Sequence, residues 1–178
     1  RYAVSGSGAE AWLDRLLACR LPKPGQARLA PMLGHDGRLK GDLTVLNWGG
    51  GQYWIMGSYY LREFHMRWFE AHMAEGVTVT DISDSISGFL VTGPNAREIV
   101  ARTTHQDISA NALPFMACSE FDIGMVQARV ARLSIAGELG FEINCAAVMH
   151  STLRETLLAA GEDLGLAEVG FYALNALR

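Results

Sequence analysis

The sequence predicts an α+β fold built on antiparallel sheets, and three observations predict it. Short runs alternate apolar and polar residues with period two, amphipathic helical stretches interrupt those runs, and the opening pattern of strand, glycine turn and helix returns once in the second half. With 178 residues, 49% of them hydrophobic, the chain has material for one ordinary domain or two very small ones around a packed core.

Charge and composition remove several classes of function. A formal net charge of −4 and the lack of any Lys/Arg block argue against nucleic acid, whose phosphates need a concentrated basic surface. No apolar run is long enough for a bilayer span, and RYAVSGSG at the amino end has neither a charged leader nor a hydrophobic signal core, so a soluble, cytoplasmic protein is expected. Cys19, Cys118 and Cys145 are far apart, without the paired spacing of zinc or redox sites, and read as buried thiols in a reducing compartment. Opening on Arg1 before a strand and stopping at Arg178 within a helical stretch, the chain reads as an excerpt of a longer polypeptide.

The first half begins with a strand at 2–5, a turn at 6–8 and a helix over 9–19 whose Trp12, Leu13, Leu16 and Leu17 share a face. Pro22, Pro24 and Gly25 stop that helix. Residues 28–33 and 39–47 form a hairpin around His35-Asp36-Gly37, and Gly49-Gly50-Gly51 turns the chain into a strand over 53–56. A helix over 60–74 presents Leu61, Phe64, Trp68, Phe69 and Met73; Gly76 breaks it, and β-branched residues mark a strand at 77–82.

From Phe89 the pattern repeats: FLVTGPNAREIVARTT matches YAVSGSGAEAWLDRLL from Tyr2. Downstream, 43–46 corresponds to 133–136, 53–55 to 141–143, and the helix through Trp68 to one over 147–160. The expected architecture is therefore two pseudo-symmetric strand-helix-strand-strand-helix repeats, 1–82 and a carboxyl-terminally truncated 83–178, with antiparallel sheets around a central cleft.

The segment ARLSIAGELGFEINC is the most informative. Extended runs 126–135 and 139–145 meet at Ala136-Gly137-Glu138, and alternation places Leu139, Phe141 and Ile143 on one face with Glu142 and Asn144 on the other. Asp42, in GDLTV of the first half, is expected to face Glu138 and Glu142 across the cleft. On residue type alone each carboxylate suits a solvated turn at least as well as a binding role.

Four motifs, in order over nearly the whole chain, carry a resemblance: PMLGHDGRLKGDLTV, LVTGPNAREIV, ARLSIAGELGFEI and GFYALNALR. Together they resemble the folate-binding aminomethyltransferase family, which includes the glycine cleavage T-protein and the folate domains of dimethylglycine and sarcosine dehydrogenases and oxidases. The resemblance implies a tetrahydrofolate site, with Asp42 beside N10 of folate as the catalytic carboxylate and Glu142 holding the pterin. A carboxylate matches the donor edge of a pterin bidentately, and a second one near the reacting amines orients them and accepts a proton. The implied reaction moves a methylene unit from an N-methyl or aminomethyl amine onto folate, giving 5,10-methylenetetrahydrofolate. FAD is implied only in an oxidoreductase domain outside this segment, on the same chain or a separate one, with the mitochondrial matrix as the compartment if the source is eukaryotic.

Three positions depart from the T-protein pattern. Ile135 stands where a tyrosine precedes the pterin glutamate, Leu174 where an arginine stands, and Gly57 where an asparagine follows the strand. The last two resemble the dehydrogenase-associated branch, which does not account for the loss of the tyrosine. Together the departures disfavour glycine cleavage and imply a domain that accepts a methylene unit generated by a flavin domain elsewhere, with reduced folate affinity. A non-catalytic folate-binding or regulatory module of the same fold is the alternative. The related iron–sulfur-assembly branch carries a Lys-Gly-Cys-Tyr-x-Gly-Gln-Glu motif that has no match here.

The expected cofactor-facing positions are Glu142, Glu138, Gly57 and Tyr53, with no metal ligand. Glu138 suits either a folate contact or a turn hydrogen bond; Trp48, Tyr53, Tyr59 and Tyr60 suit either a pocket wall or core. Arg132 reads as a structural partner of an acidic residue. His65 and His72 lack the one-turn spacing of a helical metal site and read, like the isolated His35, His105 and His150, as interface or surface residues. GSG at 6–8 and GGG at 49–51 lack the features of a phosphate loop.

Overall fold

A computed structural model describes residues 1–177; Arg178, the last residue of GFYALNALR, lies outside the described residues. The chain divides into two units, Arg1–Asp84 and Ser85–Arg178, each with its own sheet and core.

In the first unit, Tyr2 and Val4 of β1 (Tyr2–Ser5) point inward as strand alternation requires. Helix α1 (Ala9–Leu16) buries Ala9, Trp12 and Leu13. It is followed by β2 (Gln26–Leu33), β3 (Leu39–Gly49) and β4 (Gln52–Met56). A single 3₁₀ turn over Tyr59–Leu61 then feeds α2 (Arg62–Ala71), and β5 (Thr78–Asp81) closes the unit. All neighbours are antiparallel in a five-stranded sheet of order β2-β3-β4-β1-β5. Both helices cover one face, where Tyr2, Leu13, Met32, Leu43, Ile55 and Phe69 form the core.

The second unit runs through β6 (Ile86–Thr92), α3 (Ala96–Ala101), β7 (Cys118–Ile123), β8 (Val126–Ala131), β9 (Gly140–Ala146) and α4 (His150–Gly161), with the short α5 (Phe171–Ala176) after it. Its four strands are ordered β6-β9-β8-β7, again antiparallel. Val91, Ile99, Val130, Phe141, Ile143 and Leu153 make its core.

Three sequence expectations are adjusted. β7 adds a strand to those read from the second half, and residues 133–136, expected to be extended, lie in the loop between β8 and β9. His65 is neither a surface nor an interface residue: it is 1% exposed in the first core.

Candidate functional site

Asp42 belongs to the first unit. On β3, Gly41, Leu43 and Val45 are buried on the helix-covered face, while Asp42 is exposed on the other. Its carboxylate makes no hydrogen bond or ion pair among the described residues. Three features hold this strand end lightly. The β3–β4 ladder reaches only to Thr44 and Met56, Pro31, which has no N–H, stands opposite Asp42, and the register with β2 shifts after Met32.

Gly57 lies just past β4 and is exposed. Tyr53 is placed differently from a pocket wall. It is 5% exposed within the helix-side core, and burial pushes its hydroxyl above the usual tyrosine value. Trp54 is also buried, whereas Tyr59 and Tyr60 are 61% and 80% exposed.

The acidic corner belongs to the second unit. Phe141 and Ile143 of β9 enter the core and Leu139 packs against it, as the alternation predicts. Glu142 lies half-buried on the opposite face, between Ala131 of β8 and Leu90 of β6 in register. Asn144, two residues on, is 1% exposed, and its amide nitrogen is 3.5 Å from Glu142 Oε1. Its Oδ1 is buried without a hydrogen-bond partner, an acceptor that a donor-bearing ligand would satisfy. Alternation gave the face of Asn144; its burial comes from the strands around it and had no local signal.

Glu138 is exposed at the corner, where Gly137 has φ +84° and Ser134 Oγ donates to the Glu138 carbonyl at 2.7 Å. Among the described residues no acid pairs with Arg132. Its guanidinium lies 5.8 Å and 5.6 Å from the ring centres of Phe115 and Phe141, and burial, with Arg97 nearby, pushes its pKa down.

Other residues outside this set have structural partners. Trp12 Nε1 donates to the His72 carbonyl at 2.7 Å, and His72 Nδ1 donates to the Trp68 carbonyl at 2.8 Å, so two side chains satisfy carbonyls at the end of α2. They line a groove of about 600 Å³ with His35, Arg15 and Trp68, on the helical side of the first unit. His150 stacks on Phe89 at 4.4 Å. Among the described residues no three His, Cys, Asp or Glu side chains are grouped to hold a metal ion, and no helix is long and apolar enough to cross a membrane.

The sequence matches the family model of the GCVT N-terminal domain over residues 1–178. The chain belongs to that family. Within the GCVT family it is 31% identical over 181 residues to mitochondrial dimethylglycine dehydrogenase of Mus musculus, covering 100% of this chain and 21% of that protein. It is 32% identical over 177 residues to an aminomethyltransferase of Bacillus velezensis, covering 98% of this chain and 48% of the relative. The chain thus spans about half the length of the aminomethyltransferases it matches and about a fifth of the dehydrogenases.

Solved structures agree on the GCVT fold. The aminomethyltransferase T of the Bartonella henselae glycine cleavage system superposes with a TM-score of 0.85 at 23% identity, covering 99% of this chain and 47% of that one. A heterotetrameric sarcosine oxidase from Corynebacterium, in complex with pyrrole 2-carboxylate, gives a TM-score of 0.70 at 19% identity, covering 95% and 82%.

Proposed function

We propose that this chain is a tetrahydrofolate-binding domain that accepts a one-carbon unit from an N-methyl or aminomethyl amine. Its context would be a protein like dimethylglycine or sarcosine dehydrogenase, with flavin chemistry supplied by another domain. The observation that carries the reading is the family match over residues 1–178; Asp42 and Glu142 are the carboxylates that the motif resemblance of the sequence implies. Relatives named dimethylglycine dehydrogenase support the amine class and the flavoprotein context.

The donor set suits the ligand. Tetrahydrofolate supplies the nucleophilic nitrogen that takes up the carbon. Glu142, half-buried beside a buried amide, would accept hydrogen bonds from the donor edge of a pterin, where partial exclusion of water strengthens them. The orphaned Oδ1 of Asn144 offers a further acceptor. Asp42, an exposed carboxylate on a sheet face, would orient the reacting nitrogen and accept the proton that it releases. Gly57 contributes open backbone beside the end of β4, and Glu138 a second carboxylate at the loop rim. Tyr53 has no direct part in this reading.

Calorimetry with tetrahydrofolate on the full-length protein tests binding, and Glu142→Gln is expected to weaken it at least tenfold. Asp42→Asn is expected to leave binding within about threefold while methylenetetrahydrofolate formation falls about 100-fold or more. Unchanged turnover in that variant removes the catalytic role of Asp42. One observation favours a second reading, folate binding without turnover: Ile135, 39% exposed in the β8–β9 loop, offers no hydroxyl where the resembling T-proteins carry a tyrosine. Tight binding with no product in the wild type selects it.

A further inference from the structure

His65 is a histidine sealed in the first core, and its setting is asymmetric. Nδ1 meets the Tyr2 hydroxyl at 3.0 Å, whereas Nε2 is buried with no hydrogen-bond partner. An orphaned ring nitrogen in an apolar core is costly, so the ring's position calls for a physical account. Donation from Tyr2 to Nδ1 leaves Nε2–H as the one orphan; the reverse tautomer leaves two, the tyrosine proton and the Nε2 lone pair. Neutral imidazole is the form that survives there, since burial pulls the pKa of His65 below its usual value.

The ring sits in a notch made by two glycines. A Cβ on Gly41 would lie 3.3 Å from His65 Nε2, with Leu43 and Met32 atoms at 3.1 and 3.2 Å. A Cβ on Gly57 would lie 3.0 Å from His65 Cε1 and 2.7 Å from Leu43 Cδ2. Any other residue at either position would push on the imidazole or the strand, so the two glycines and the histidine form one packing unit. Gly41 is the residue before Asp42, and Gly57 lies just beyond the last β3–β4 pair. The notch thus occupies the sheet end where hydrogen bonding to β4 has stopped and Pro31 offers no donor.

We propose that His65 is the positioning residue for Asp42: its imidazole, anchored by Tyr2 and wedged beneath Gly41 and Gly57, fixes the strand end from which the carboxylate projects. The inference rests on the role given to Asp42 above. Asp42 is on the opposite face of β3, so His65 acts through the backbone and touches no substrate.

A cycle of His65→Ala, Gly41→Ala and the double variant in the full-length protein tests this, with His65→Asn as the conservative control that keeps a polar atom for Tyr2. Two measurements are made at a temperature where every variant is folded: kcat and the tetrahydrofolate KM, and amide hydrogen exchange along β3. Emptying the notch is expected to lower kcat about tenfold or more with KM within about twofold, and to speed exchange at Asp42 and Leu43 ahead of the rest of the core. His65→Asn is expected to recover part of both effects. Gly41→Ala is expected to impair the wild type but to cost less, or help, once His65 is alanine, because its methyl then enters vacated space. Exchange that rises uniformly through the first core with kcat unchanged makes His65 a stability residue only and overturns the proposal. If Asp42→Asn itself leaves turnover unchanged, the role of Asp42 fails and this inference with it; an impaired Asp42→Asn beside a normal His65→Ala sinks the inference alone.

Discussion

The two units share an order of elements, strand, helix, three strands, helix, yet fill their cores differently. The first packs aromatic and polar groups: Trp12 and Tyr2 set their ring edges against Phe69, and the tyrosine bonds to a sealed histidine. In the second, the buried core is largely aliphatic around Phe121 and Phe141, and its buried polar residue, Asn144, lies on the other sheet face beside Glu142. The difference teaches that one topology accepts two core chemistries, and that the first makes stability depend on the protonation of an interior histidine.

Truncating one fully buried phenylalanine in each core compares the two most directly. Phe69→Ala and Phe141→Ala are each expected to cost about 3–5 kcal/mol in denaturant titrations, since both side chains are 0% exposed. Equal costs would mean that packing volume, not core chemistry, sets stability; a markedly cheaper Phe69→Ala would mean that the aromatic cluster repacks.

The matched turn glycines give the next effect. Gly6 and Gly93 hold φ +109° and +118°, but a Cβ on Gly6 would lie 2.1 Å from the Gly76 carbonyl oxygen while one on Gly93 meets nothing within 4 Å. Gly6→Ala is expected to cost about 2–4 kcal/mol, backbone strain plus overlap, and Gly93→Ala about 1–2 kcal/mol from strain alone. Similar losses at both sites would show that the close approach to Gly76 is readily relaxed.

Acidification should separate the units more gently. His65 has a folded pKa below its ordinary value of 6.5, so as pH falls through 6.5 the unfolded chain takes up a proton that the folded one refuses. Stability is therefore full above that pH and declines as pH drops toward the folded value. Tyr2, its pKa pushed up to about 12 chiefly by burial, stays protonated throughout. His65→Asn is expected to flatten the slope between pH 7 and 5 in melts followed by tryptophan fluorescence; an unchanged slope would assign it to other groups. The smallest effect belongs to the Arg154–Glu168 pair of the second unit, 2.5 Å long but solvent-exposed, whose removal by Glu168→Gln is expected to leave the melting temperature within replicate scatter.

Local pattern made much of this structure readable. Alternation put Phe141 and Ile143 inward and Glu142 outward, and helical spacing found the buried stripe of α1. β7 escaped because Ser119 and Glu120 are both exposed, which breaks period two in CSEFDI. The stretch 133–136 read as a strand because its residues suit one, yet the loop bends back where Ser134 Oγ bonds to the Glu138 carbonyl. His65 was unreadable for a different reason. Its burial depends on Tyr2, 63 positions earlier, on Gly41 of β3 and on Gly57 just past β4, contacts without a trace in the helix that carries it. For the acidic residues, only motif wording pointed to function; their chemistry alone is shared by many solvated turns.

The order of strands has a kinetic consequence. In each sheet the first strand pairs with one much later in the chain, Tyr2 with Ile55 and Gly88 with Asn144, while adjacent hairpins such as β7–β8 close through short turns. Loop-closure entropy is lowest for those hairpins, so they are expected to form early, within microseconds, and to wait as incomplete templates for the opening strand. Insertion of that strand between or beside partners already in place then sets the pace, and each unit should fold in the slow range typical of non-local β topologies despite its modest size.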